Sequence, residues 1–525
     1  MRKRKKLWLG LYVFVIVIVG FFTASLEPFN SDTYANIFAA LNIRQGGAFF
    51  MPVHTNIIKA PVYLLGYALF GYSPATVVFI DAVSSIGFIL LTSFCAYWWL
   101  KNRGDVLDVS APFVYMALLS PFFLYLTVNP GLRNLDVGVS FVWMLLVLDT
   151  KISPKWRLLA IPLGALLLVN DPWFVVAFAL PALVTPWLVL ILNHLTARPA
   201  DQSITKSWFG SYRQGIGVAP LAILSVAGGY LLRFGMERTG LVRFVGVESD
   251  YQFLLAHKLE NLLHITQAVL KFFNADTAWV VPPEHMGNVV LVFLGMAGVF
   301  MGVLSKDERT RILSCFVVTA SAISGAVYAF TNASAVVLAE RYLIFLPLAV
   351  IIGIANFLAA LRGKFSILRV AVLAILALSF AANFSSILNW LPHIRNPGRL
   401  ELQAAIINGA QKDNLKYGFG AYFDSLNSTF VSAGDVTIRQ VTCNNGRLQI
   451  MRWWSQSKWY APEAAAGPTF VVLSASPGED LSEHCPAQKL AQQFGPYRAQ
   501  PVMLHEKLVA TYYIWDYNIA NRIDK

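Results

Sequence analysis

Residues 75–103 read ATVVFIDAVSSIGFILLTSFCAYWWLKNR: a long apolar segment with a single acid, followed at once by a basic link. An apolar helix needs about 20 residues to cross the hydrocarbon core of a bilayer, and this segment is long enough. The basic residues of the link, Lys101 and Arg103, are typical of a short cytoplasmic loop. The stretch therefore predicts one span of a membrane protein, and the same pattern returns along most of the chain.

The composition of the whole chain supports this class. The 525 residues are 56% hydrophobic and only 13% charged, whereas soluble domains carry about 25% charged residues. We count about eleven apolar segments near the length of a span, at 7–26, 75–100, 111–128, 135–150, 157–170, 173–195, 214–234, 287–304, 312–330, 339–360 and 370–391. The segments 135–150 and 157–170 are short, so we expect tilted or broken helices there.

Basic residues in the short links predict the orientation. Residues 2–6 read RKRKK, which predicts a cytoplasmic N-terminus. A basic start also fits a signal peptide, but the apolar run Leu7–Phe22 is long and no small-residue cleavage site follows, so we expect the first span to be an uncleaved anchor. Every second link is then basic, and these links fall on the cytoplasmic side. We therefore expect a multi-pass protein of the cell inner (plasma) membrane with an extracytoplasmic C-terminus. The net charge of +12 follows from these loops, so no nucleic-acid partner is expected.

The chain divides by composition into two domains. Residues 1–391 form the predicted transmembrane catalytic domain, with external loops near 27–60 and 235–286. Residues 392–525 read as a small extracytoplasmic α/β domain, because a helical segment precedes β-branched and aromatic runs bounded by Gly, Pro and Asp. The helix is expected at 400–411 and the strands at 436–441, 469–473 and 510–515.

The external loops and the cysteines support further expectations. Asn30 or Ser31 can cap a surface helix that runs to Ile43. The segment 61–72 is too short to span the membrane and is expected to lie at its surface. An amphipathic helix is expected in the second external loop, near 251–273. The cysteines of the tail, Cys443 and Cys485, lie where a disulfide is permitted, but the sequence leaves their pairing open. The other two, Cys95 and Cys315, fall inside apolar spans.

Ionisable residues at the outer ends of the spans are the candidate site, because charges in the membrane are costly and mark function. Asp32 in the first external loop is placed to act as a general base toward an incoming hydroxyl; a helix cap is the alternative. The pair Arg133 and Asp136 shares a helical face at i, i+3, or anchors the turn as an interfacial ion pair. Asp171 precedes Pro172, which also fits plain helix-start chemistry. Arg341, Lys59 and His54 face the same compartment.

These groups suit transfer of a sugar from a lipid-linked phosphate. The chain has no Walker loop, no GxGxxG after a strand, no HExxH and no CxxC, so nothing supports a nucleotide-dependent reaction. A sugar on a polyprenyl phosphate already has a good leaving group, and needs a base for the acceptor hydroxyl and a cation such as Arg341 or Lys59 for the phosphate. A single carboxylate acting as base predicts inversion at the anomeric carbon.

The motifs resemble the GT-C class of integral-membrane glycosyltransferases. The resemblance rests on the first-loop segment 30–34 (NSDTY), on 133–136 (RNLD), and on 340–343 (ERYL) followed by Pro347. It implies that Asp32 is the catalytic base and that Arg341 lies near the lipid phosphate. It also implies a polyprenyl-phosphate-linked donor, a glycan or lipid acceptor of the cell envelope, and membrane lipids as partners. Dependence on a divalent cation stays open, because the first loop lacks an Asp-x-Asp or Asp-Glu pair.

Three alternatives remain beside a transferase. A transporter or flippase of lipid-linked glycans would carry internal repeats and mid-membrane charges, and the sequence shows neither. A glycan polymerase or ligase would share the same site. A scaffold that only presents the tail would tolerate substitution of Asp32 and Arg341.

Overall fold

The computed structural model describes residues 13–14, 17–18, 31–42, 49–52, 54–100, 134–196, 203–240, 242–245, 258–274, 282–331, 342–361, 366–394, 397–474 and 481–524. These residues belong to two compact units, each assembled from several parts of the chain. The first unit comprises Met1–Thr23, Ala82–Arg233 and Glu248–Pro392. The second comprises Ala24–Asp81, Phe234–Val247 and His393–Lys525.

Helices long and apolar enough to cross a membrane number six within the described ranges. They are Pro74–Trp99, Val175–Leu195, Gly217–Arg238, Pro283–Val303, Glu308–Phe330 and Ile367–Asn389. The predicted count of eleven spans is therefore not confirmed. Most of segment 7–26 and all of 111–128 lie beyond the residues that the structure describes.

The remaining predicted spans are helices too short to cross on their own. They are Leu135–Leu148 with 14 residues, Ala160–Asn170 with 11 residues and Phe345–Ala360 with 16 residues. Ala160–Asn170 ends where it does because Pro172 disfavours a helical conformation at the residue before it, and Asp171 is extended with φ −157° and ψ 114°. The segments 135–150 and 157–170 thus contain short helices, and the expectation that they are tilted or broken stays a prediction.

Glycines set the closest helix packing in the first unit. Met286–Val303 lies against Phe345–Ala360, and a Cβ atom added at Gly298 would meet the backbone carbonyl of Gly353. The Asn356 side chain donates to the Gly298 carbonyl over 2.6 Å. Small residues let membrane helices approach closely, and interhelical polar contacts then reinforce the pair.

The second unit contains the strands. In chain order they are β1 (Phe49–Pro52), β2 (Val242–Val245), β3 (Tyr417–Gly420), β4 (Thr437–Asn444), β5 (Arg447–Ile450), β6 (Ser455–Gln456), β7 (Thr469–Ser474), β8 (Arg498–Leu504) and β9 (Lys507–Trp515). The larger sheet has the order β5-β4-β3-β7-β9-β8. Strand β3 is parallel to β4 and β7, and the other pairs are antiparallel. The three strands predicted in the tail are confirmed.

Both faces of the larger sheet are covered, as the wholly buried strand β7 requires. Phe470 and Val472 pack with residues of helix Pro397–Lys412 on one face. Val471 and Leu473 belong to a second core that includes residues of helix Ser31–Asn42. The predicted surface helix of the first loop is thus formed, and within this unit it packs as part of a core.

A smaller sheet joins the first external loop to two distant segments. Strand β1 is parallel to β2, with Phe49 opposite Val242, and antiparallel to β6, with Phe49 opposite Gln456. The tail is closed by a disulfide between Cys443 and Cys485, whose Cα atoms lie 5.8 Å apart. Cys95 and Cys315 are free and buried.

The second external loop contains a helix at Lys258–Phe272, which lies within the amphipathic segment predicted near 251–273.

Candidate functional site

Two of the predicted acids line one small cavity in the first unit. Asp136 lies in the first turn of helix Leu135–Leu148, which begins at Asn134, whose side chain accepts a hydrogen bond from the Leu135 amide over 2.6 Å. Asp171 follows directly after helix Ala160–Asn170. The sequence places an acid at each of these helix ends, and both acids face the same cavity.

A buried amide links the two acidic positions. The Asn170 side-chain nitrogen lies 3.5 Å from Asp136 Oδ2, and Asp171 Oδ1 accepts a hydrogen bond from the Trp173 amide over 2.9 Å. Asp136, Asn170 and Asp171 are only 6%, 1% and 7% exposed. Asp171 therefore caps the next helical turn and also lines the cavity.

The cavity is narrow. Its volume is about 20 Å³, which is the space of one water molecule or one ligand hydroxyl. The carboxylates of Asp136 and Asp171 line it, and an ionised carboxylate can accept a hydrogen bond from a ligand hydroxyl. The rest of its wall is mainly apolar and aromatic.

One aromatic residue of the cavity wall contacts Tyr342. Trp173 lines the cavity, and its ring centroid lies 4.8 Å from that of Tyr342. Tyr342 directly follows Arg341 in the chain. The structure does not describe Arg341, nor Arg133, which directly precedes the capping residue Asn134.

The second unit holds the other predicted residues. The backbone of Asp32 lies in the first turn of helix Ser31–Asn42, although its side chain is outside the described atoms. One turn further, Asn36 accepts a hydrogen bond from the side chain of Asn56 over 3.3 Å. Asn56 has a φ of 50° and its carbonyl accepts the Lys59 amide over 2.9 Å. The helix of Asp32 and the segment of Lys59 are thereby joined.

Lys59 and His54 have different surroundings within this unit. Lys59 is fully buried, at 0% exposure, where a charge interacts more strongly than in water. His54 is half-buried and its ring meets Trp453 edge-on at 5.7 Å. On the Asp32 helix, burial raises the pKa of Tyr34, and the nearby Asp81 carboxylate raises it further. The Tyr34 hydroxyl therefore stays protonated at neutral pH.

Sequence reasoning missed several neighbours of these residues. Asn170 stands beside Asp171 in the sequence, so its adjacency was a usable signal, and Asn36 is four residues after Asp32, on the same helical face. Tyr342 belongs to the motif 340–343 but was not chosen as a site residue, and Trp173 showed no signal beyond an ordinary aromatic position. In the part of the chain that the structure describes, no three His, Cys, Asp or Glu side chains lie close enough to share a metal ion.

Comparison with known proteins gives likenesses in structure alone. No family model and no curated protein matches the sequence. The structure is similar to that of ArnT from Cupriavidus metallidurans bound to undecaprenyl phosphate, with a TM-score of 0.52, 15% sequence identity and 99% of both chains covered. It is also similar to the same protein in the apo state, with a TM-score of 0.51, 13% identity and 99% coverage of both chains.

The chain has a GT-C fold. The expected resemblance to that class is confirmed in architecture, because the likeness extends over both the apolar helices and the strand-rich tail. At this low sequence identity, the roles of individual residues depend on the geometry of this chain.

Proposed function

We propose that this protein is an inner-membrane glycosyltransferase that uses a polyprenyl-phosphate sugar donor. The observation that carries the proposal is the GT-C fold over 99% of the chain, shared with a protein that was solved with undecaprenyl phosphate. The proposed acceptor is a glycan or lipid of the cell envelope. In the proposed reaction the acceptor hydroxyl attacks the anomeric carbon from the face opposite the phosphate, so the configuration inverts.

Asp32 is the proposed base. As the acceptor oxygen forms its bond to the anomeric carbon, its proton passes to the Asp32 carboxylate, and the bond from the anomeric carbon to the phosphate oxygen breaks. The electron pair of that bond leaves on the phosphate. Its position in the first turn of helix Ser31–Asn42 supports this role, because the helix N-terminus favours the charged carboxylate form before the proton arrives.

Cations and acids around the site are proposed to position the two substrates. Arg341 and Lys59 bind the lipid phosphate, which is a strong acceptor for charged donors, and Arg133 supports them. His54, Asp136 and Asp171 bind hydroxyl groups of the sugars. The cavity beside Asp136 supports this division, since its volume of about 20 Å³ suits one hydroxyl.

The proposed setting is the outer face of the membrane. The basic links predict a cytoplasmic N-terminus and an extracytoplasmic tail, and the disulfide between Cys443 and Cys485 is typical of an oxidising compartment. Nucleotide sugars do not serve as donors there, which favours a lipid-linked donor.

The test is sugar transfer by purified full-length protein from undecaprenyl-phosphate sugars, with the wild type beside Asp32→Asn. We expect Asp32→Asn to abolish transfer while expression and melting temperature stay unchanged, because the change is isosteric. Asp516→Asn, at an exposed acid of the tail, is the matched control and should keep full activity.

Each other outcome has a definite meaning. Transfer by both the wild type and Asp32→Asn would keep the enzyme and reject Asp32 as its base. Absence of transfer from every donor, with folded wild-type protein, would reject the proposal in favour of transport or a scaffold. Transfer of whole glycan chains rather than single sugars would indicate the polymerase or ligase alternative.

A further inference from the structure

Arg439 lies on strand β4 among aromatic side chains of the second unit. Its guanidinium carbon is 4.0 Å from the centre of the Trp459 ring. Burial raises the pKa of Tyr417, and the adjacent charge of Arg439 partly offsets that rise. Burial also raises the pKa of Tyr72, with the same opposing effect of Arg439. Arg439 is therefore within electrostatic range of both hydroxyl groups.

Two donor nitrogens of this arginine lack partners. Its Nε and Nη1 atoms are buried and have no hydrogen-bond partner among the residues that the structure describes. The ion pairs found in those same ranges do not include Arg439. A buried donor left unsatisfied destabilises the folded protein, and more so when it is charged, so a bound oxyanion that accepts from these two nitrogens would remove that cost.

The aromatic contact does not satisfy these donors. A cation–π contact uses the flat face of the guanidinium, whereas its five N–H groups point outward in the plane of that group. Tyr417 donates to the Trp459 carbonyl over 2.6 Å and its hydroxyl oxygen accepts a hydrogen bond from Arg439, while Tyr460 donates to the Gln440 carbonyl over 2.5 Å. The donors on Nε and Nη1 of Arg439 thus remain for a ligand.

The cluster borders the surface, although the Nε and Nη1 atoms of Arg439 are themselves buried. Arg439, Tyr417 and Tyr72 are each half-buried. The Tyr72 ring centroid is 6.4 Å from that of Phe38, which lies on helix Ser31–Asn42 with the candidate base. An arginine fork recognises phosphate or carboxylate through paired hydrogen bonds, and aromatic faces pack well against the apolar faces of a sugar ring.

We propose that Arg439, with Trp459, Tyr417 and Tyr72, forms a binding site for the oxyanion of an acidic carbohydrate, either a sugar phosphate or a sugar carboxylate. In its link to the acceptor this inference rests on the proposed function, since the site lies beside the helix of Asp32. Binding itself is independent of transfer, so it is measured separately.

The experiment is equilibrium binding to the full-length protein in detergent, followed by the fluorescence of tryptophan. The probes are glucose 1-phosphate, glucuronate, inorganic phosphate, undecaprenyl phosphate and uncharged glucose. The variants are Arg439→Met and, as a matched control on the neighbouring strand β5, Arg447→Met; Arg447 is 61% exposed and paired with Asp524 at 2.7 Å.

We expect saturable binding of glucose 1-phosphate or glucuronate, weakened at least about tenfold in Arg439→Met and unchanged in Arg447→Met. Arg439→Met should melt near the wild type, because methionine keeps a long apolar side chain against the Trp459 ring. If it fails to fold, Arg439→Lys keeps the charge without the planar fork, and it should weaken binding by a similar factor.

Other outcomes would overturn the inference. They are equal binding by wild type and Arg439→Met, no saturable binding of either acidic sugar, or equal binding of glucose. Binding of undecaprenyl phosphate alone would assign the site to the lipid and reject an acidic carbohydrate. If the acidic sugars bind as expected but no donor supports transfer, the proposed function fails while the site stands.

Discussion

Arg309 and Asp149 form a buried ion pair in the first unit, with 2.9 Å between Arg309 Nη2 and Asp149 Oδ2 and side chains only 8% and 2% exposed. The indole nitrogen of Trp98 donates to the same oxygen over 2.7 Å. The other carboxylate oxygen accepts the Lys151 amide over 2.9 Å. Because Arg309, Trp98 and Asp149 belong to different helices or helix ends, this pair ties three helices together.

Removing one partner of the ion pair between Arg309 and Asp149 should lower the free energy of unfolding far more than removing both. We expect Arg309→Met to lower the free energy of unfolding by about 3–5 kcal/mol, because it leaves the Asp149 carboxylate buried without its counter-ion. The double variant Arg309→Met/Asp149→Leu should lose much less. The measurement is a thermal or denaturant double-mutant cycle on detergent-solubilised protein. If the double variant loses the sum of the two single losses, the pair is not coupled.

The packing of Gly298 against Gly353 leads to a second prediction. A Cβ atom at Gly298 would meet the Gly353 carbonyl, which is backbone and cannot move aside as a flexible side chain would. We expect Gly298→Ala to lower the free energy of unfolding by about 1–3 kcal/mol, as overpacking does, and to lower the melting temperature.

Gly325 provides the control for this substitution. It lies within helix Glu308–Phe330, and a Cβ atom there meets nothing within 4 Å. Gly325→Ala should therefore be neutral or stabilise the protein by about 0.5–1 kcal/mol, since alanine loses less backbone entropy in a helix. Equal losses for the two variants would show that close helix packing is not the cause.

Local patterns predicted much of the fold because they reflect local physics. The helix at Ser31–Asn42 follows from its cap and apolar spacing, and strand β7 from its β-branched run. Six of the apolar segments could also be matched to long helices without knowing their neighbours, because length and hydropathy are properties of one segment. Asp136 and Asp171 were chosen as candidate substrate-binding residues from their positions at helix ends; the structure places both at one cavity, and their role in binding stays a prediction.

Contacts between distant segments were not predictable in this way. Strand β1, FFMP at Phe49–Pro52, shows no alternation, and nothing local selects β2 and β6 as its partners. The hydrogen bond from Asn170 to Asp136 likewise depends on how two helices pack. Arg439 occupies an ordinary strand position, and only its neighbours in space show that its Nε and Nη1 atoms lack hydrogen-bond partners.

The disulfide of the tail leads to a third prediction. Cys443 and Cys485 are separated by 42 residues, so the bond removes loop-closure entropy from the unfolded chain worth about 4 kcal/mol. We expect reduction to lower the melting temperature of the tail. The double variant Cys443→Ser/Cys485→Ser should melt near the reduced wild type and should not respond to reductant. A wild type that melts identically with and without reductant would contradict this.

The cavity acids lead to the last prediction, which depends on the proposed transfer reaction. Asp171→Asn keeps an oxygen that accepts a hydrogen bond from the Trp173 amide but removes the negative charge. Asp136→Asn likewise keeps an oxygen that accepts from the Asn170 side chain and removes the negative charge. Loss of a charged hydrogen bond to a substrate hydroxyl is worth about 1.5–3 kcal/mol, so kcat/KM should fall about 10- to 100-fold in each variant while the melting temperature is kept.

Asp307 is the matched control, because it caps helix Glu308–Phe330 by accepting the Thr310 amide over 3.0 Å and does not line the cavity. Asp307→Asn should leave kcat/KM unchanged. If Asp171→Asn matches this control and only Asp136→Asn loses activity, the role of Asp171 is the helix cap alone. If all three variants lose activity equally, the cavity has no special part in binding and the assignment of both acids is wrong.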